Sequence, residues 1–383
     1  MPRRALLETT RMGRQAEDLE RKLHHLVIGQ DEAIHQIVRA YQTYLARLSP
    51  VGRPVGNFLF LGPTGSGKTH IVEATAESLL KNPRAVIKID CGEFQHGHEI
   101  AKLIGSPPGY LGHRETHALL SQEALDQYHT DDVKLSFVLF DEIEKASDAL
   151  WNLLLGIMDK GVVTLGDNTK VDFSSAMVFL TSNLGAAEMS ALVSTKMGFH
   201  APSLEDNGRS AKLSDRMSSV GTAAACRKFT PEFINRLDKI VVFNALSRDE
   251  LEKIVDVEIE RVQQRIDAAA AAEPFLIQLT DSAREFLLIE GTDARYGARH
   301  LKRAIERLLV QPLSNLIVTG QIHHHDCIGV THIQESPSLI FFRESDAFEA
   351  EEAVAPLPYN TMQEVPTPLL HNAIQEAAQR EAA

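Results

Sequence analysis

A chain of 383 residues exceeds one average domain, and its 44% hydrophobic and 24% charged content is that of an ordinary globule. The formal net charge of −13 opposes non-specific attachment to nucleic acid, and the apolar runs are strand-sized, so no membrane span is expected. Three scattered cysteines (Cys91, Cys226, Cys327) fit a reducing, cytoplasmic setting, and the basic start MPRRALLETTRMGR lacks the apolar stretch of a signal peptide.

Residues 1–24 are charged and helix-prone, and are expected to form a helical lead-in. From 25 to 245, short apolar runs alternate with helical spacing. The runs NFLFL (57–61), AVIKI (85–89), SFVLF (136–140), MVFLT (177–181) and KIVVF (239–243) read as strands buried on both faces of a parallel sheet. HIVEATAESLLK (70–81) and ALWNLLLGIMDK (149–160) carry helical spacing between them, so a wound α/β domain is predicted. A second, smaller α+β unit is expected over 246–345. Ser247 and Glu250 have capping-box spacing at the head of a long helix reaching Ala270. FLIQLT (275–280), the helical DSAREFLLIE and RHLKRAIERLLV, and a hairpin through SLIFFR (338–343) follow. Pro312 should end or kink the last helix. Residues 346–383 are acidic and Ala/Pro-rich, the composition of a weakly ordered tail.

GPTGSGKT (62–69) matches the phosphate-loop pattern between a strand and a helix. Gly62, Gly65 and Gly67 let the backbone around Pro63, Thr64 and Ser66 curl until its N–H groups point at phosphate oxygens, and the helix N-terminus adds positive charge. Lys68 would reach the β- and γ-phosphates of ATP, and Thr69 would hold Mg²⁺. SFVLFDEIEKA (136–146) ends an apolar strand in two acids at the carboxyl edge of the sheet. Asp141 is the natural Mg²⁺ partner, and Glu142 is placed to polarise an attacking water. Acids at a strand end are often helix caps; beside a phosphate loop they point to nucleotide hydrolysis.

With these residues in view the chain resembles the Clp-type AAA+ ATPases, and most of all the C-terminal ATPase module of the two-ring unfoldases. VIGQDEAIHQIVRA (27–40) resembles their adenine-pocket segment, with Val27 and Ile28 at the base, and GSPPGYLG (105–112) their substrate-gripping pore loop. FLTSN (179–183) resembles the sensor-1 strand ending in Asn183. FTPEFINRLDKIVVF (229–243) resembles the arginine-finger segment with Arg236, and YGARHLKRAIE (296–306) the sensor-2 helix with Arg299. Alone, either arginine could equally be a surface or salt-bridging residue. The resemblance implies a P-loop AAA+ parallel-sheet domain with a smaller C-terminal α+β lid, ATP and Mg²⁺ as cofactors, and a homo-hexamer in which Arg236 acts on the neighbouring subunit's nucleotide. It also implies an ATPase whose Tyr110 and Leu111 pull unfolded or tagged proteins through the ring. Leu111 and the HisArgGlu at 113–115 depart from the usual pore-loop continuation.

Met197-Gly198-Phe199 occupies the place where Clp ATPases that partner a peptidase carry an apolar-Gly-apolar docking tripeptide. The alternative is an insertion loop whose Met and Phe pack on their own domain. The expected activity is a single-ring unfoldase that feeds a Clp-type peptidase, against a remodelling switch or stand-alone disaggregase. No specific nucleic acid or membrane is expected as a partner. QHGHE (95–99) near Cys91 has no metal-site spacing, and the HisHisHis at 323–325 reads as a polar turn, open at most to adventitious metal.

Overall fold

Alternation of apolar side chains along the strands decides the architecture. The computed structural model describes residues 8, 11–106, 118–189, 206–269, 274–292, 297–323, 325–333 and 336–344, the side chains of 206–215 and 344 excepted. Along the chain come β1 (Gly56–Leu61), β2 (Ile87–Asp90), β3 (Ser136–Asp141), a hairpin of β4 (Val162–Thr164) and β5 (Lys170–Asp172), then β6 (Ala176–Ser182) and β7 (Lys239–Val242). Five of them form one sheet in the order β2-β3-β6-β1-β7, and every pairing in it is parallel. All five predicted runs lie in it.

Successive side chains of a strand point to opposite faces, so a run that is apolar throughout feeds two cores. Phe58, Phe60, Phe137, Leu139, Met177 and Phe179 enter one, while Leu59, Leu61, Val138, Phe140, Val178 and Leu180 enter the other. In the first, Phe179 lies 5.3 Å from Phe58 and 5.5 Å from Phe60, whose ring is 5.0 Å from Phe243. Helices Asp31–Leu45 and Lys68–Leu80 cover that face; Asp148–Lys160 covers the second.

The expected lead-in is part of the first core. Its helix runs Arg14–Leu26, and Ala16, Leu19 and Leu23 are buried among residues of the next two helices. Two further elements had not been expected, the β4–β5 hairpin and the helix Asp206–Lys228. The hairpin braces its surroundings, since the Gly166 N–H donates to the Ile104 carbonyl at 2.8 Å, where the chain leaves for 105–112.

After β7, the Ser247 N–H donates to Glu250 Oε2 at 2.7 Å and the Glu250 N–H to Ser247 Oγ at 3.3 Å, the expected capping box for helix Arg248–Ala269. Strands β8 (Leu276–Leu279), β9 (Cys327–Thr331) and β10 (Ile340–Glu344) form a second sheet, in which β8 and β9 are parallel and β9 and β10 antiparallel. Its core gathers Val255, Leu287, Leu301, Leu309 and Val330. Pro312 does not end the helix there. Helix Ala298–Ile305 widens into a π-turn over Glu306–Val310 just ahead of the proline and resumes as Gln311–Val318. Among the described residues no helix is long and apolar enough to cross a membrane. Residues 345–383 lie outside the described residues.

Leu23 is fully buried. Leu23→Ala should therefore lower the unfolding free energy by about 2–5 kcal/mol, the range for a leucine removed from a packed core, as read from urea denaturation. A change under about 0.5 kcal/mol would mean that the first helix is not part of the core.

Candidate functional site

The site is built where β1, β3 and β6 end. Parallel pairing brings their carboxyl ends to one edge of the sheet, and register does the rest. Phe140 pairs with Leu180, so Asp141 and Thr181 follow side by side, and the Thr181 hydroxyl donates to Asp141 Oδ1. The Glu142 N–H donates to the same Thr181 Oγ1 at 3.1 Å. Glu142 is left-handed (φ 55°, ψ 49°), a conformation that a residue with a side chain keeps only when its surroundings hold it. Its carboxylate pairs with Lys145.

At the end of β1, Gly62 has a φ of 147°, and a Cβ there would lie 2.6 Å from the Phe243 carbonyl oxygen. Only glycine lets the chain pass the end of β7 so closely. Lys68 folds back on the loop, its Nζ donating to the carbonyls of Gly62 at 2.7 Å and Pro63 at 2.9 Å. Ser66 Oγ also donates to Pro63, at 2.9 Å. Gln30 anchors the loop from outside. Its Nε2 donates to the carbonyls of Ser66 and Asn244, both at 3.1 Å, and its Oε1 accepts from the Asn244 N–H at 3.2 Å. Burial pushes the Lys68 ammonium down to about 8, against the opposing pull of Asp141 and Glu144.

Helix Ala298–Ile305 closes the other side. Gly297 has a φ of 52°, and a Cβ on it would approach the Gly65 carbonyl oxygen to 3.0 Å. The Ala298 N–H donates to that oxygen at 3.2 Å, which brings Arg299 into the lining of the cavity.

The cavity has a volume of about 300 Å³. Its apolar lining comes from Leu26, Val27 and Ile28 together with Leu246, Ile254 and Val257 of the second unit. Its polar lining includes the loop 64–69, Asp141, Glu142, Asn183 and Arg299. An apolar slot leading to a glycine-rich loop at a helix N-terminus suits a flat base joined to a polyanion. Asp141 and Thr69 offer hard oxygen donors in the polar lining, the donor type that suits Mg²⁺.

Of the residues predicted for the site, Val27, Ile28, Thr64, Gly65, Ser66, Gly67, Lys68, Thr69, Asp141, Glu142, Asn183 and Arg299 line this one cavity, and Gly62 and Pro63 hold Lys68 from behind. Arg236 stands apart, its Nη1 3.1 Å from Asp159 Oδ1 and its buried Nε without a partner among the described residues. The Trp151 ring meets Phe233 edge-on at 4.6 Å and Phe229 at 5.1 Å. These contacts pin the segment before Arg236 to helix Asp148–Lys160, which carries Asp159. Tyr110, Leu111, Met197, Gly198 and Phe199 lie outside the described residues.

Sequence reasoning missed Gln30, Thr181, Glu144, His70, Glu258 and Lys302. Glu144 Oε1 accepts from the Asn183 N–H at 3.4 Å, and its Oε2 is buried without a partner among the described residues. Lys302 was findable, lying three residues from Arg299 and so on the same helix face. Thr181 needed the register, and Glu258 needed the docking of the second unit.

Residues 53–240 match the family described as AAA domain (Cdc48 subfamily), and residues 246–330 match the C-terminal, D2-small domain, of ClpB protein. The chaperone protein ClpB of Rhizobium meliloti (strain 1021) is 38% identical over 312 residues, which are 82% of this chain and 33% of that protein. ClpB of Meiothermus ruber is 38% identical over 304 residues, 79% of this chain and 33% of its own length. The chain thus spans about a third of the length of the curated relatives it matches. A closed-state cryo-EM reconstruction of Hsp104 with ATPγS and FITC casein superposes with a TM-score of 0.69 at 29% identity, covering 86% of this chain and 52% of that one. The extended conformation of the S. cerevisiae Hsp104:casein complex gives 0.68 at 30% identity, covering 82% and 50%. Sequence and overall fold agree, and the chain belongs to the Clp-type AAA+ ATPases, pairing an AAA domain with the small domain of a ClpB second ATPase module.

Proposed function

We propose that the chain binds ATP with Mg²⁺ in this cavity and couples hydrolysis to the unfolding of polypeptides within a homo-hexameric ring. The observation that carries this reading is the convergence of Lys68, Asp141, Glu142 and Arg299, drawn from both parts of the fold, on one cavity. We assign the large ATPase domain to 25–245, with helix Arg14–Leu26 packed on it, the lid to 246–345, and a cytosolic setting.

Each residue has a physical task. Lys68 exchanges the carbonyls of Gly62 and Pro63 for the β- and γ-phosphates. Thr69 and Asp141 would hold Mg²⁺, which when bound neutralises phosphate charge. Glu142, once free of Lys145, orients and polarises the attacking water, and Asn183 holds that water from the end of the neighbouring strand. Arg299 neutralises the phosphates from the lid. Arg236 exchanges Asp159 for the nucleotide of an adjacent subunit, so turnover depends on assembly.

A stand-alone remodeller, with Tyr110 gripping the substrate, is favoured over a peptidase feeder, because the relatives are named as ClpB chaperones. Delivery to a Clp-type peptidase rests on Met197-Gly198-Phe199 alone. The deciding assay is ATP-dependent reactivation of an aggregated reporter enzyme, run with and without an added Clp-type peptidase. Wild type should restore activity. Reporter degradation that Phe199→Ala abolishes would select the feeder, and neither outcome would refute polypeptide remodelling. In the same assay Tyr110→Ala should lose reactivation while keeping basal ATP turnover; unchanged reactivation would remove the gripping role.

Glu142→Gln should bind ATP yet hydrolyse it at least ~100-fold more slowly in a phosphate-release assay. Turnover near the wild-type rate would sink the assignment.

Lys68 adds a pH dependence. With an empty-site pKa of about 8, Lys68 is charged below that value and increasingly neutral above it. Bound phosphates require the ammonium form, so binding takes up a proton and weakens as pH rises. Affinity should fall about tenfold between pH 7 and pH 9, and Lys68→Ala should bind weakly with little pH slope, both measured by titration calorimetry. A flat wild-type profile would contradict the coupling.

A further inference from the structure

We infer that Glu258 reads the sugar of the nucleotide and selects ribose over deoxyribose. The inference rests on the proposed nucleotide site and concerns a part of it that the phosphate loop leaves unassigned.

Glu258 lies on helix Arg248–Ala269, with its side chain only 16% exposed, and it lines the cavity next to Val257. Its position along the cavity follows from its neighbours. Val257 and Ile254 belong to the apolar lining. Arg261, paired with Glu258 Oε1 through Nη1 at 2.8 Å, reaches through Nη2 to His70 Nε2 at 3.3 Å. His70 follows Thr69 in the first turn of the helix that the phosphate loop enters. Glu258 thus joins the apolar lining at Val257, through Arg261 and His70, to the start of the helix that the phosphate loop enters, the level we assign to the sugar of a nucleoside triphosphate.

The chemistry fits a sugar better than a phosphate. A carboxylate repels phosphate oxygens, and near a polyanion it is tolerable only if its charge is matched. Two cations match it here, since Lys302 Nζ lies 2.8 Å from the same Oε1 that Arg261 holds. Both contacts fall on one oxygen, which leaves Oε2 with acceptor capacity. Lys302 and Arg261 only donate, so neither can itself receive a hydroxyl hydrogen. A ribose hydroxyl is a donor at the right level of the cavity, and a carboxylate is the side chain that accepts such hydroxyls in other nucleotide folds. The pair with Lys302 adds a further consequence. Both the acceptor and its partner belong to the second unit, so sugar recognition would also help to seat that unit over the nucleotide.

The experiment is calorimetric titration of wild type, Glu258→Gln and Glu258→Ala with unlabelled ATP, 2′-deoxyATP, 3′-deoxyATP and GTP. Wild type should bind at least one deoxy analogue about tenfold or more weaker than ATP, the expected loss of a hydrogen bond to a charged acceptor. In both variants that gap should close to within about twofold, while ATP still binds. The wild-type comparison needs no substitution, so a variant that fails to fold does not remove the test. Equal wild-type binding of ATP and both deoxy analogues would overturn the proposal, as would a gap that survives in Glu258→Ala. Loss of ATP-over-GTP selection with the sugar gap intact would move Glu258 to the base and also overturn it. Lys68→Ala separates the two layers of argument. If it abolishes binding while the sugar gap is absent, only the ribose assignment fails; if it leaves ATP binding untouched, the nucleotide site itself is wrong.

Discussion

The central position of β6 is the constraint on which the rest depends. It pairs in parallel with β3 on one side and β1 on the other, so the acids after β3 and the loop after β1 emerge at the same edge, two strands apart. Shifting the β3–β6 pairing by one residue would send the side chains of one strand into the opposite core, where rings and branched chains of other shapes already fill the space. The two apolar cores therefore lock the register, and the register sets Thr181 beside Asp141. The hydroxyl then serves two neighbours at once, receiving the Glu142 N–H and donating to Asp141, and so ties the unusual backbone of Glu142 to the sheet. Close packing on both faces of the sheet, which carries no chemistry, thus aims the carboxylates.

The second unit adds what the sheet cannot. It supplies half of the apolar lining and brings Arg299 into the polar lining through a backbone contact with Gly65. That contact involves a carbonyl of the phosphate loop itself, with glycine on both sides of it, so the two backbones meet without an intervening side chain. Side-chain links run beside it, from Arg261 to His70 and from Glu250 to the neighbourhood of Gly29. The contact between the two parts of the fold and the ligand cavity share residues.

Much of this was legible in the sequence because its signals are local. NFLFL, SFVLF and MVFLT are continuous apolar runs, and GPTGSGKT and the DE after SFVLF occupy fixed places relative to them. The capping box at Ser247 and Glu250 is likewise a four-residue pattern. What escaped was either weakly patterned or made by tertiary contact. Helix Asp206–Lys228 is rich in Ser, Ala and Gly and has no strong apolar stripe. The β4–β5 hairpin had a turn signal in Gly166-Asp167-Asn168, but strands of three residues carry too few alternations to be read. The first helix looked peripheral because it is charged on most of its surface, while Ala16, Leu19 and Leu23 make a narrow buried stripe. Glu258 and Arg236 acquire their partners only when distant segments meet.

That first helix ends at Leu26, whose side chain lines the cavity and whose carbonyl oxygen lies 3.1 Å from His70 Nε2. Any ligand that packs against Leu26 is consequently coupled to the order of the helix. By reciprocity, a ligand that grips the wall at Leu26 raises the cost of unravelling the helix by as much as the intact helix raises the ligand's affinity. Tension applied to the chain ahead of residue 14 would be felt as weakened binding, and a filled cavity as a stiffer tether.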